Sequence, residues 1–257
     1  MPKISILTNN YNGSNYINDY FKSIYSQTFI DWELIFFDNK STDNSLELLN
    51  KYLKKDNRIK LFINDKNSGL GYARSKALKL CSAEYIAVWD IDDTAHMSRL
   101  KTQLEFLIKN KDVALVASNV LKLSFSQITK YKIKSSPEFI KSQLIWRNIL
   151  VHSSVMYKKK AALLVGGYDQ NYNYSQDYNF YLKLLKNNFK ISSIDEYLCN
   201  QTINRNGLSL KKSMKKIIIK DQINNLIEAR KINNIKINHK ILNTMSKVYY
   251  NLKLLFV

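Results

Sequence analysis

Apolar runs and helical-period stretches alternate with regularity over the first 120 residues. Lys3–Thr8 is a short apolar run that predicts a strand. Asn12-Gly13-Ser14 then interrupts the chain, and Ser14 is placed to cap a helix. Tyr16, Ile17, Tyr20, Phe21, Ile24 and Tyr25 follow at helical spacing. Glu33–Phe37 predicts a second strand, ending at Asp38. The turn cluster Ser41-Thr42-Asp43-Asn44-Ser45 feeds a helix with Leu46, Leu49, Tyr52 and Leu53 on one face. Arg58–Ile63 predicts a third strand, Asn64–Gly71 a loop, Tyr72–Leu80 a helix and Tyr85–Trp89 a fourth strand. Ser98–Lys109 reads as a helix and Val113–Ala117 as a strand. This order demands right-handed crossovers and a mostly parallel α/β sheet with helices on both faces.

Beyond Ala117 the alternation weakens. The segment Ser118–Ile149 has mixed polarity, contains Pro137, and is expected to cover or flank a site. Val151–Tyr157 predicts a strand, Lys158–Val165 a helix stopped by Gly166-Gly167, and Gln176–Lys186 a further helix. From Lys211 the pattern is helical, amphipathic and rich in lysine. The expected organisation is a domain over residues 1–210 and a basic tail over 211–257.

Composition sharpens this picture in two places. The net charge is +19, and the tail alone holds eleven Lys and Arg against Asp221 and Glu228, a net of +9. Such a tail suits an anionic membrane face. Nucleic acid is not an expected partner, because no Arg-rich reading helix, zinc spacing or stacking-aromatic motif accompanies the charge. Cys81 and Cys199 lack metal-ligand spacing and read as reduced core residues. No stretch approaches the roughly 18 apolar residues of a spanning helix, and the start of the chain runs straight into a strand. The expectation is a cytoplasmic protein, peripheral on the inner membrane face.

In a parallel sheet, ligands bind outside the carboxyl ends of the strands. Three polar clusters fall there: Asn9-Asn10-Tyr11-Asn12, Asp38-Asn39-Lys40-Ser41 and Asp90-Ile91-Asp92-Asp93. The third packs three carboxylates into four positions, which calls for a cation, and a hard divalent metal with oxygen ligands usually works on a phosphate-bearing substrate. Neither a Gly-x-Gly-x-x-Gly fingerprint nor a P-loop is present. The three histidines, His96, His152 and His239, form no catalytic constellation.

Taken in order, Ile4–Asn12, Asp31–Ser45, Asn67–Leu80, Glu84–Asp93 and Val155–Leu185, with Gly166-Gly167-Tyr168-Asp169 and Gln176-Asp177-Tyr178, resemble the family 2 glycosyltransferases. The resemblance implies the GT-A fold, a nucleotide diphosphate-sugar donor, Mg²⁺ or Mn²⁺ as cofactor, and a glycan or lipid-linked acceptor in bacterial cell-surface polysaccharide synthesis, such as lipopolysaccharide or capsule. It places Asn10, Asn12, Asp38, Arg74, Asp90 and Asp92 on the donor, Asp38 at its base, Asp90 nearer its ribose and Asp92 on the metal. Asp177 resembles the base that deprotonates the acceptor in a single inverting displacement, with Asp169 as a competitor. Strand alternation would point Asp90 and Asp92 the same way and leave Asp93 to cap the next helix. The chain departs from the family pattern at four places: Asn9-Asn10 stands for a frequent Pro-Thr, Asn39 for an Asp, Gln176 for an acid and Asn206 for a His. The rival readings are a nucleotidyltransferase, which would show a Gly-rich basic loop after the first strand, and a nucleotide-sugar-binding module without activity.

Overall fold

The structure, a computed structural model, describes residues 1–172, 174–203 and 215–231. Its first four strands are parallel: β1 (Ile4–Asn10), β2 (Trp32–Asp38), β3 (Ile59–Ile63) and β4 (Tyr85–Val88). They are joined by α1 (Ile17–Tyr25), α2 (Ser45–Leu53) and α3 (Leu70–Leu80). The chain continues through β5 (Thr94–Ala95), α4 (Arg99–Lys109), β6 (Val113–Leu123), β7 (Ile128–Tyr131) and α5 (Pro137–Leu144). It then runs through β8 (Met156–Lys158), α6 (Lys159–Leu164), α7 (Gln176–Lys186), β9 (Lys190–Thr202) and α8 (Lys215–Lys231).

The spatial order is β3-β2-β1-β4-β8-β6-β9-β5, with β7 paired to β6 beside this path. Short β8 runs antiparallel to both β4 and β6, so β6 and its parallel neighbour β9 point the same way as β4. Their carboxyl ends therefore open toward one side. Register finishes the arrangement: Ile4 lies opposite Trp32, and so on to Asn10 opposite Asp38. Two of the expected polar clusters are thus neighbours by backbone pairing alone.

The sheet is apolar on both faces, as parallel strands covered by crossover helices must be. Ile4, Ile6, Leu34 and Phe36 pack with Phe21 and Ile24 of α1 and with Leu100 and Leu104 of α4. Leu7, Ile35, Phe37 and Val88 face the opposite way, toward Ala73 and Ala77 of α3 and the aromatic face of α7. Each such side chain contributes roughly 1.5–3 kcal/mol on burial. At the end of the sheet remote from the strand mouths, buried Glu33 ties four segments together. It accepts from Ser5 Oγ at 2.5 Å, the Ser82 amide at 2.6 Å, Ser82 Oγ at 2.7 Å and Lys60 Nζ at 2.7 Å. Burial alone would raise its pKa, but these donors hold it down at about 2.

Several local expectations change. Tyr16, not Ser14, occupies the cap position of α1, and the Ser14 amide instead donates to Asp43 Oδ2 at 2.9 Å. The predicted strand Val151–Tyr157 is a 3₁₀ turn, His152–Ser154, followed by three-residue β8. The strand predicted to stop at Ala117 extends to Leu123 and turns back as β7, and the long β9 was not foreseen. Within the predicted tail, α8 packs on α7, and its Leu226 and Ala229 join the core. Among the described residues no helix is long and apolar enough to cross a membrane. The remainder of the tail, His239 included, and the late-loop residues Arg205 and Asn206 lie outside the described residues.

Candidate active site

The loops after β1 and β2 interlock. Asp38 is fully buried; its Oδ1 accepts from Asn10 Nδ2 at 2.8 Å and Ser41 Oγ at 2.6 Å, and its Oδ2 accepts from the Ser41 amide at 2.8 Å. Asn12 adopts a left-handed backbone (φ 55°), which asparagine tolerates, and its Oδ1 accepts from the Thr42 amide at 2.8 Å. Asn10, Asn12 and Asp38 are therefore brought together, largely through one another and Ser41. Asn10 Oδ1 has no partner among the described residues, and neither polar atom of the Asn9 side chain has one. A buried amide oxygen without a donor is costly unless a ligand supplies one. Asn39 extends the network to the loop before α3, bonding Asn67 Oδ1 at 2.9 Å and accepting from Asn64 at 3.0 Å.

The acids after β4 are not strand residues. β4 ends at Val88, and the Asp93 amide closes a turn onto the Asp90 carbonyl at 3.1 Å. The expected alternation of Asp90 and Asp92 along an extended strand therefore does not apply, and the turn sets their directions. Asp90 Oδ1 pairs with buried Arg74 Nη2 at 2.8 Å. Burial opposes the charge on Arg74, but Asp90, Tyr168 and Asp177 more than restore it. Asp92 is left with its own carboxylate excess: burial and then the charge of Asp90 push its pKa up to about 6.

Asp93 points away and is no helix cap. Its Oδ1 accepts from the Thr202 amide at 2.8 Å and its Oδ2 from Ser153 Oγ, pinning the end of β9 and the 3₁₀ turn beneath the acids. Helix α4 begins later, with Ser98 at its cap position. Arg99, which the sequence reading passed over, is fully buried directly under this turn. Its Nη2 donates to the Val88 carbonyl at 2.7 Å, and its guanidinium lies 4.8 Å from the centre of the Trp89 ring. The missed signal was periodic: Arg99 and Gln103 fall on the same α4 face as Leu100, Leu104 and Leu107.

Asp177 comes from a later part of the chain. It sits in the first turn of α7, one residue after the helix starts, and its Oδ2 accepts from Asn148 Nδ2 at 2.9 Å. Asn148 was not singled out in the sequence. Its position in the mixed-polarity stretch before Val151 gave no periodic cue. Asp90 and Asp177 both act on Arg74, Tyr168 and Tyr181, so the two carboxylates share one electrostatic neighbourhood. Beneath them His152 is buried between Tyr181 (2.6 Å) and Tyr168 (3.0 Å), and burial with Arg74 nearby keeps it uncharged. Asp169 is engaged in a local turn, accepting from the Asn171 amide at 2.9 Å.

The residues present suit a hard divalent ion only in part. Asp92 and Asp90 offer carboxylate oxygens, the donor type Mg²⁺ and Mn²⁺ prefer, and burial beside Asp90 disfavours the charge on Asp92. No group of three or more His, Cys, Asp or Glu able to hold a metal occurs among the described residues. Among the described residues, Asp92 with Asp90 beside it would hold such an ion, and an anionic substrate would add oxygen ligands.

Comparison with known proteins bears on the family and the fold. The family model described as glycosyl transferase family 2 matches residues 5–164. An uncharacterized glycosyltransferase of Methanocaldococcus jannaschii is 33% identical over 213 residues, covering 79% of this chain and 71% of its own. The Escherichia coli UDP-Gal:alpha-D-GlcNAc-diphosphoundecaprenol beta-1,3-galactosyltransferase is 28% identical over 256 residues, covering 98% and 92%. Among solved structures, S. aureus TarS 1-349 in complex with UDP-GlcNAc superimposes with a TM-score of 0.75 at 19% identity, over 95% of this chain and 70% of that one. The Pyrobaculum calidifontis mannosyltransferase PcManGT, in complex with GDP-Man and Mn²⁺, gives 0.69 at 16% identity, over 98% and 70%. The sheet is thus that of the GT-A glycosyltransferases, and the chain belongs to glycosyl transferase family 2.

Proposed function

We propose that this glycosyltransferase moves one sugar, with inversion, from a nucleotide diphosphate-sugar to a hydroxyl of a glycan or lipid-linked glycan in cell-surface polysaccharide synthesis. The observation that carries the reading is buried Arg74, which is ion-paired to Asp90 at 2.8 Å and also feels the charge of Asp177. Asn10, Asn12, Asp38, Arg74, Asp90 and Asp92 form the donor side. Asp177 takes the proton of the acceptor hydroxyl while that oxygen bonds to the anomeric carbon; the bond to the diphosphate breaks, and its electron pair leaves with the nucleotide. Asn148 orients the base by holding its other oxygen. Arg74 fixes Asp90 through their ion pair. A divalent ion, held by Asp92 and the diphosphate, would neutralise charge on the leaving group.

The donors carried by TarS and PcManGT, and the lipid-diphosphate acceptor in the name of the E. coli relative, support the donor and acceptor classes. Membrane association is proposed for the basic stretch 211–257 and would disappear in a vesicle flotation assay on removing it. Asp177→Asn is expected to lower transfer by about 10³-fold while donor affinity by calorimetry stays within about twofold. Transfer at the wild-type rate by this variant, or a product that retains the donor's anomeric configuration by NMR, would sink the mechanism.

A further inference from the structure

The base does not stand on α7 alone. The residues immediately before that helix are gripped by α8, a helix far beyond the family match, which ends at residue 164. The Tyr174 amide donates to Asp221 Oδ2 at 2.8 Å. Asn225, fully buried, donates from Nδ2 to the Ser175 carbonyl at 3.0 Å and accepts from Asn179 of α7 at 3.2 Å. Ser175 itself is in the left-handed region (φ 54°), which costs a serine on the order of 1 kcal/mol and persists only where neighbours impose it. Its own side chain gives α7 no capping bond. The two α8 side chains thus satisfy backbone groups at the point where the chain enters the helix of Asp177.

On the opposite side the same connection rests on α3, the helix of Arg74. Gly71 meets the backbone there: a Cβ on it would lie 2.7 Å from the Asp169 carbonyl oxygen and closer still to that of Tyr172. Only glycine permits that approach. The segment leading to the base is therefore held between the donor-side helix and α8.

We infer that Asp221 and Asn225 of α8 are positioning residues for the transfer step, fixing the connection into α7 so that Asp177 meets the acceptor oxygen in reacting geometry. This rests on Asp177 being the base. A displacement of about 1 Å of a catalytic group can lower a rate on the order of 10²-fold without touching substrate affinity, so the effect belongs in kcat and not in donor binding.

The test uses the full-length enzyme. Asp221→Ala and Asn225→Leu are expected to lower kcat about 10- to 100-fold with donor KM and donor affinity within twofold of wild type. Asp221→Asn, which keeps an oxygen for the Tyr174 amide, is expected to restore most of the rate. Unchanged kcat in the first two variants overturns the inference, as does an Asp221→Asn rate as low as that of Asp221→Ala. If those variants fail to fold, hydrogen exchange on the wild-type protein decides: the Tyr174 amide is expected to be protected together with the first turn of α7, and free exchange there overturns the proposal. Asp177→Asn separates the two readings. If it still transfers, the base assignment fails; if it is inactive while the α8 variants keep full kcat, only the positioning role fails.

Discussion

The two sides of the mouth are built by different means. On the donor side, Asn10, Asp38, Arg74, Asp90 and Asp92 come from one continuous run of βα units, and pairing register alone sets Asn10 beside Asp38. Asn10 and Asp38 are fastened to each other and to Ser41, and Arg74 to Asp90 by an ion pair. On the transfer side, Asp177 depends on a single amide from Asn148 and on a connection braced from α8. The donor pocket is a local product of the sheet. The proposed base is placed by contacts between segments distant in sequence, so a lesion on each side should read out in a different constant.

The largest separation is expected from Asp92→Asn. Replacing this proposed metal ligand should cut transfer by about 1,000-fold and weaken the Mn²⁺ dependence expected of donor binding, measured by calorimetry with and without EDTA. If donor binding keeps its metal dependence, Asp92 does not belong to the donor side as drawn. Glu33→Ala attacks the same half remotely. It orphans the Ser5 and Ser82 donors and Lys60, and is expected to cost about 3 kcal/mol in chemical denaturation. Because Glu33's folded pKa is depressed, its stabilisation is complete above the unfolded carboxylate range near 4.5 and is lost as pH falls toward about 2. The wild type should therefore lose more stability than the variant across that window, and parallel pH curves would remove Glu33 from the account. The smallest effect is expected from Asn148→Ala. Freeing one oxygen of Asp177 should lower kcat about tenfold with donor KM unchanged. A rise in donor KM instead would erase the distinction between the two sides.

This division also explains what was legible in the sequence. Ile4–Asn10 and Trp32–Asp38 announce themselves because both faces of a parallel strand are buried, and polar residues at their ends have only one place to go. Asp38 and the acids could be found on that basis, while Arg74, on a helix, came from the family pattern that also supplied their roles. Asp90 and Asp92 were read along a strand that ends at Val88, since nothing in Trp89-Asp90 distinguishes a last strand residue from the first of a turn. Strand β9 hid because Ser192, Ser193, Asp195 and Glu196 dilute its apolar pattern. Asn148, Asp221 and Asn225 gave no signal, because an amide or acid that serves another segment's backbone has no local periodicity. Arg99 was visible only as a charge on a buried helix face.

The placement of α8 has a consequence for how the molecule is made. A chain emerging from the ribosome N-terminus first exposes β1 through the Asp93 turn early, and N-terminal units fold before later ones. The pocket for the nucleotide can thus exist on a nascent chain well before Asp221 and Asn225 arrive to steady the base. Ligand capture would precede competence to react, and α8 would act as the molecule's own checkpoint on catalysis. Arrested nascent chains ending before and after α8 should then bind donor alike, and only the longer ones should turn it over.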